Sequence, residues 1–267
     1  VRVSKITYSY DDMYNQLKNV VTTGTKANKS VTNTTKYQYG THYPTQVTQI
    51  TDTGQAGKRD FSYDANGDVT QIVQTPHPHD GTTKPTTTIT MMGYNAGQQL
   101  VDWQRGDKLK VHYTYNAAGQ RASETVDDAN GNTATLAFGY LAGKLASETL
   151  NGTTRYYFAG GTIYQGQYTP FISDGFNITG SAIANQAMTV QGYTPFGDQG
   201  TKADVSTLTL AKPHLGYRGH YSDQVTGSQP LGNGYRDYSP ELRLFTQHDS
   251  DSPTGRGGLN AYSYVLN

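Results

Sequence analysis

The sequence predicts an all-β protein: a sheet of successive β-hairpins followed by a terminal segment of a different kind. Three observations carry that expectation. A degenerate Tyr-Asp/Asn-x-x-Gly unit recurs between Tyr10 and Gly143, and the large side chains are dominated by tyrosine, with 22 Tyr against 7 Phe and 1 Trp. No stretch shows convincing helical periodicity over an ordinary helix length. The apolar fraction is 34%, below the roughly 45–50% usual for soluble domains, so one thick apolar core is not expected. Tyrosine packs its ring while keeping a hydroxyl for a partner or water, which suits thin, two-faced sheets.

The repeat units begin at Tyr10-Asp11, Tyr39-Gly40, Tyr63-Asp64, Tyr94-Asn95, Tyr115-Asn116 and Tyr140-Leu141, with gaps of 29, 24, 31, 21 and 25 residues. Such ragged spacing still centres on one supersecondary unit per repeat. In Phe61-Ser-Tyr63-Asp64-Ala-Asn66-Gly67-Asp-Val69, alternating residues flank an Asn-Gly pair, which is expected to supply the positive φ of a tight hairpin turn. Val111 to Val126 repeats this grammar around Asn116-Ala-Ala-Gly119, and Asp128-Ala-Asn130-Gly131 turns the chain again. Consecutive hairpins of this kind form a meander, and units with unfinished edges stack on their neighbours. The Pro- and Thr-rich stretch Thr75 to Thr88 and the stretch Thr201 to Pro213 are expected to be loops. Ala182 to Val190 has some helical propensity, but its Gly and β-branched flanks favour strand-turn-strand equally.

Lys and Arg (21) balance Asp and Glu (21). That balance lacks the basic footprint needed to neutralise phosphates, so no nucleic-acid partner is expected. No apolar run reaches the ~18–20 residues of a membrane span, and the start VRVSKITYSY does not read as a signal peptide. With no cysteine, disulfides, thiolate metal sites and a Cys nucleophile are excluded. Neither a nucleophile-elbow motif nor a phosphate-binding Gly-rich loop is present. His77-Pro78-His79-Asp80 contains ligand-type residues without a further spaced donor and reads as loop. No cofactor and no metal is expected.

The C-terminal part does not repeat. It reads Tyr193-Thr-Pro195-Phe-Gly197, Leu215-Gly-Tyr217-Arg-Gly219, Asp223 with Val225-Thr-Gly227, and Leu231-Gly-Asn-Gly-Tyr235-Arg236. Then come Tyr238-Ser-Pro240, Phe245, Asp249, Ser252-Pro253, Gly255, Gly257-Gly-Leu-Asn260, Tyr262 and Tyr264. A repeating wall with a unique end suggests a container with a specialised closure. With these residues in place, the chain resembles the RHS/YD-repeat proteins with their repeat-associated core domain. Among these it is most similar to the C component of bacterial insecticidal ABC (Tc) toxin complexes. The matched motifs cover about a quarter of the chain, and the repeats support the remainder architecturally.

The resemblance implies a β-hairpin sheet spiralling as part of a hollow shell, with a C-terminal core that plugs it. Residues 1–150 would form the repeat region, 151–230 the sheet leading into the core, and 231–267 the core itself, incomplete at its C-terminal end. The implied work is encapsulation and delivery of a C-terminal polypeptide toxin, in a secreted or exported complex. The implied partners are a B-type shell subunit or further repeats of the same polypeptide, together with the toxin cargo. The alternative from another class is an extracellular glycan- or protein-binding module. It would use Tyr156-Tyr157-Phe158 with Tyr164 and Tyr168, aromatics that cross-strand packing in a repeat sheet explains better.

In most relatives the core is an aspartic self-protease, and the resemblance carries Asp249 as its candidate carboxylate. Such chemistry needs two carboxylates sharing a proton, and the second would lie in a downstream segment outside these 267 residues. The competing reading makes Asp249 and Asp251 turn formers beside Ser252-Pro253. Relatives carry Arg immediately before the residue matching Phe245; here Leu244 stands there and Arg243 one position earlier. On a strand, that offset turns a side chain to the opposite face, which puts support of Asp249 by Arg243 in question. Arg236 is a second possible support through its planar donors, or else a structural ion pair with Asp237 or a neighbouring strand.

Overall fold

In the computed structural model the described residues are all except 1–2, 26–27, 55, 79–84, 108, 182–188, 191, 199–207, 209, 211–212, 233 and 265–267. The fold is all-β, and its only helical element among the described residues is a 3₁₀ turn at Tyr217–Gly219. The chain divides into two compact units: Val1–Met92 with Thr246–Asn267, and Gly93–Phe245.

The first unit holds β1 (Val3–Tyr10), β2 (Gln16–Thr25), β3 (Asn28–Tyr39), β4 (Val47–Asp52), β5 (Lys58–Tyr63), β6 (Val69–Thr75) and most of β7 (Thr88–Tyr94). Each strand pairs antiparallel with the next, as the hairpin grammar requires. Among the described residues, Tyr37, Val47, Ile50, Phe61, Val69, Met92, Ala261 and Tyr262 are the buried apolar residues of this unit.

The second unit runs through β8 (Leu100–Arg105), β9 (Leu109–Tyr115), β10 (Arg121–Asp127), β11 (Thr133–Leu141) and β12 (Lys144–Leu150). It continues with β13 (Thr153–Phe158), β14 (Gly161–Tyr164), β15 (Gln167–Ser173), β16 (Ile178–Ser181) and β17 (Thr189–Val190). These strands also pair consecutively and antiparallel. A separate three-stranded sheet follows, made of β18 (Gln229–Leu231), β19 (Arg236–Ser239) and β20 (Leu244–Phe245). Period-two alternation is plain on β9, where Val111 and Tyr113 are buried between the exposed His112 and Thr114.

The positive φ expected at Asn66-Gly67 is supplied by Gly67, in a turn organised by Asp64. Asp64 accepts the backbone N–H groups of Asn66 and Asp68 on its Oδ1, both at 2.9 Å, while the Gly67 N–H bonds the Asp64 carbonyl. The result is a type I turn closed by a left-handed residue, Gly67 at φ 88°. The same geometry recurs at Asp11, Asn95, Asn116 and Asp128. The Asp/Asn of the repeat is thus a backbone mimic, and the position three residues later carries positive φ. In the Tyr94 unit that position is Gln98, not the aligned Gly97. The Tyr140 unit departs altogether: Ala142 and Gly143 both have positive φ and make a two-residue turn, as Asn151-Gly152 and Gln165-Gly166 do.

Of the two expected loops, the first begins at the last residue of β6, Thr75, and ends at the first of β7, Thr88; residues 76–78 and 85–87 between them are outside any strand, and residues 79–84 lie outside the described residues. Most of Thr201 to Pro213 also lies outside them, but Leu210 is buried with Leu136 and Leu150. Residues 182–188 of the ambiguous stretch lie outside the described residues, and Thr189–Val190 is strand β17.

Candidate functional site

In the first unit the non-repeating C-terminal segment is anchored on the repeat turns. The Val69 N–H donates to the Thr246 carbonyl at 2.8 Å, and the His248 N–H donates to Asp68 Oδ1 at 3.1 Å. Tyr262 donates its hydroxyl to the Gly67 carbonyl at 2.6 Å, accepts from Gln46 Nε2 at 3.2 Å and packs edge-on against Tyr63. Asn260 Nδ2 reaches Asn15 Oδ1 at 2.9 Å. Gly67 is required twice: by its φ, and because a Cβ there would stand 2.9 Å from the Tyr262 hydroxyl. Two residues that carry the family resemblance, Asn260 and Tyr262, therefore hold the turns of two hairpins, 11–15 and 64–68.

Asp249 is half-buried just beyond this anchor. Its N–H bonds the Ala261 carbonyl at 3.1 Å, and its Oδ1 accepts the Asp251 N–H at 3.0 Å. Ser252 closes the loop through its N–H to the Asp249 carbonyl and its Oγ to the Gly258 carbonyl. Gly257 approaches so closely that a Cβ would lie 2.9 Å from Asp249 Cγ. Asp249 thus adopts the geometry of a turn former, with its carboxyl group lodged against a glycine. Asp251 contributes its backbone to this turn, and the residue is exposed.

Arg236 and Arg243 belong to the second unit and Asp249 to the first. The Arg236 guanidinium lies 3.9 Å above the Phe245 ring. Arg243 precedes β20 in a left-handed turn, at φ 65°, with its N–H on the Ser239 carbonyl. The strand-face argument for the offset therefore does not apply at Arg243, because the strand begins at Leu244. Its guanidinium lies 5.4 Å from the Phe196 ring centroid.

The strongest electrostatic feature of the second unit is a buried polar seam. Arg121 sends Nη2 to both oxygens of Asp237 at 3.0 Å and Nη1 to Asp223 Oδ2 at 3.2 Å, with its guanidinium 3.9 Å over the Tyr113 ring. Tyr113 donates to Asp223 at 2.7 Å, Ser228 donates to Asp237, and Asp223 Oδ1 also takes the N–H groups of Val225 and Thr226. The carboxylate of Asp237 thus receives two bonds from the Arg121 guanidinium and one from Ser228. Further along, Tyr221 donates to Glu124, His214 Nδ1 meets Glu148 at 2.7 Å, and Arg155 reaches the Leu210 carbonyl.

The segment 210–238 is held on strands β9, β10, β12 and β13 by this line of polar pairs. Burial alone would lower the Arg121 pKa, but Asp237 and its other partners outweigh it and the net direction is upward. Burial, reinforced by Asp223, pushes Glu124 well above the ordinary carboxyl range, the direction that favours the neutral acid.

Sequence reasoning missed Arg121, Glu124, Glu148, Arg155 and His214. A signal existed, since Glu124, Glu148 and Arg155 each stand two residues before a buried Val126, Leu150 or Tyr157 on the same strand. That parity marks a charge facing inward.

No family model matches the chain, and no curated protein matches it in sequence. Among solved structures, the crystal structure of TcdB2-TccC3-Cdc42 matches 98% of the chain at 15% identity and a TM-score of 0.50. The Photorhabdus luminescens Tc holotoxin pore with a substituted TccC3 matches 98% at 15% identity and a TM-score of 0.48. The chain covers 16% of the length of each of these structures' chains. The class this defines is an all-β hairpin-sheet protein with a distinct C-terminal element. More particularly, the fold is like that of TcdB2-TccC3.

Proposed function

We propose that this chain is a wall-and-plug segment of an RHS-type toxin shell, whose work is to confine a polypeptide toxin and help deliver it. The observation that carries this reading is the anchoring of the unique C-terminal segment on the repeat turns, through Tyr262 to Gly67 and Asn260 to Asn15. A segment that grips the wall instead of extending it has the placement a closure needs. Residues 1–150 serve as repeat wall, 151–230 as the sheet leading to the core, and 231–267 as the core. A B-type subunit or further repeats supply the rest of the wall, because strands of this number enclose little volume by themselves. The assembly acts outside the producing cell, with the toxin as cargo.

Asp249 is the candidate carboxylate of a self-cleaving core, with Arg236 and Arg243 as candidate supports. The turn that fixes the backbone of Asp249 would hold its carboxyl group in one place for such chemistry. Co-expression of the full natural polypeptide with a B-type subunit should give a closed particle in which the cargo resists added protease. A closed particle formed without any partner would sink the partner assignment. Cleavage unaffected by Asp249→Asn would remove Asp249 from the mechanism.

A second reading, a glycan-binding module, is favoured by the exposure of Tyr156 (51%) and Tyr168 (52%). The Tyr168 hydroxyl, however, bonds the Gly160 carbonyl, and its ring covers Gly161, as cross-strand packing would have it. Retention on immobilised glycans that is lost on Tyr156→Ala would favour this reading over the shell.

A further inference from the structure

We propose that Asp68, on a turn of the repeat wall, is a positioning residue for Asp249, and that its protonation tightens the grip of the wall on the segment that bears Asp249. The proposal rests on reading Asp249 as the core's reactive carboxylate. It explains how the loop around Asp249 is held when Leu244 stands where relatives carry an arginine.

The geometry is direct. Asp68 is fully buried, and its Oδ1 receives the N–H of His248, the residue immediately before Asp249. Its neighbours fasten the same segment: Gly67 accepts from Tyr262, and Val69 donates to Thr246. Asp68 itself is pinned by its N–H to Asp64 Oδ1 and its carbonyl to the Asp64 N–H, so its side chain projects from a rigid turn. Movement at Asp68 is therefore transmitted to the backbone of residue 248 and hence to the root of the Asp249 side chain.

The second oxygen makes the contact proton-sensitive. Asp68 Oδ2 is buried with no hydrogen-bond partner. A carboxylate held this way leaves negative charge unsatisfied in a desolvated place, whereas the neutral acid does not. The ionisable groups that act on it are Asp64 from its own turn and Tyr262 from the docked segment, beside the backbone N–H of His248. Burial pushes Asp68 up to about 6, the His248 N–H pulls it down, and Asp64 adds repulsion. Because the folded value lies above the free value, docking is fully favoured below the free carboxyl range and weakens as pH rises through about 6.

Hydrogen exchange on the full-length protein tests this without reference to cleavage. Corrected for intrinsic rates, protection of the His248 amide should fall about tenfold between pH 5 and pH 7.5. In Asp68→Asn, which keeps the acceptor oxygen without the charge, protection should stay flat across that range. In Asp68→Ala it should be low at both ends. Identical pH profiles for wild type and Asp68→Asn, or a wild-type profile that is flat, would overturn the proposal.

Self-cleavage followed on gels of the same preparations separates the two ideas. Asp68→Asn should flatten the neutral-pH decline in cleavage rate, and Asp249→Asn should abolish cleavage while leaving the exchange profile unchanged. If cleavage survives Asp249→Asn, the catalytic reading fails while the exchange result still decides whether Asp68 governs the segment.

Discussion

Tyr63, the last residue of β5, donates its hydroxyl to the carbonyl of Val47, the first residue of β4, at 2.8 Å. The same bond joins Tyr39 to Gln16, Tyr115 to Leu100, Tyr140 to Arg121 and Tyr193 to Ile178, at 3.0, 2.6, 2.9 and 2.9 Å. In the first four cases the accepting residue lies one or two positions beyond the last backbone pair with the tyrosine's strand. The repeated tyrosine therefore closes the ladder where main-chain pairing has run out, and Tyr193 emerges as a further copy of the unit.

Tyr63→Phe should cost about 1 kcal/mol, because the ring stays and only the bond to a part-buried carbonyl is lost. The urea midpoint should fall with an unchanged slope. Tyr115→Phe lies in the other unit, and its cost should add to that of Tyr63→Phe.

Arg121→Met should cost about 3–5 kcal/mol, since it strands Asp223 and Asp237 in a buried place without their cation. Adding Asp237→Asn to Arg121→Met should recover part of the loss in thermal melts. No recovery would show that the ring packing of Arg121 on Tyr113, and not its charge, matters.

Glu124 should make the protein less stable as pH rises. Its folded value lies above its free value, so its contribution is complete below the free carboxyl range and is lost as pH climbs toward the raised folded value. Glu124→Gln, close in shape to the neutral acid, should raise stability at pH 8 relative to wild type and leave it little changed at pH 4. Denaturant titrations at the two pH values measure this.

Gln98→Gly should stabilise the Asn95 turn by about 0.5–1 kcal/mol, since Gln98 holds φ at 59° where a side chain is disfavoured. Gly119→Ala, at the matching position of the next turn, should destabilise by a similar amount. Thermal melts of both variants supply the pair.

Much of the hairpin sheet was legible because its information is local. The Asp/Asn of each unit folds its own turn through bonds to residues two and four positions later, so a single sequence window contains both partners. The positive φ expected at Asn66-Gly67 is carried by Gly67, while the dipeptide alone does not reveal that Asp64 captures the backbone first. The pairings within the polar seam were not legible: Arg121 meets Asp223 and Asp237 across more than a hundred residues. A bulge between Arg121 and Ser123 also shifts the face that Arg121 presents. At the candidate site, Asp249 was visible as a residue, while the groups that hold its segment, Asp68, Gly67 and Gln46, looked like ordinary members of early hairpins.

By itself the sequence determined the hairpins, their order and the distinct character of the end, because turn chemistry and period-two alternation act over a handful of neighbouring residues. Only the tertiary structure decided which hairpin turn receives the terminal segment, and which inward-facing charges find one another. Those pairings join residues far apart in the chain. They are selected by the desolvation cost of leaving any one of them alone, a quantity no local window contains.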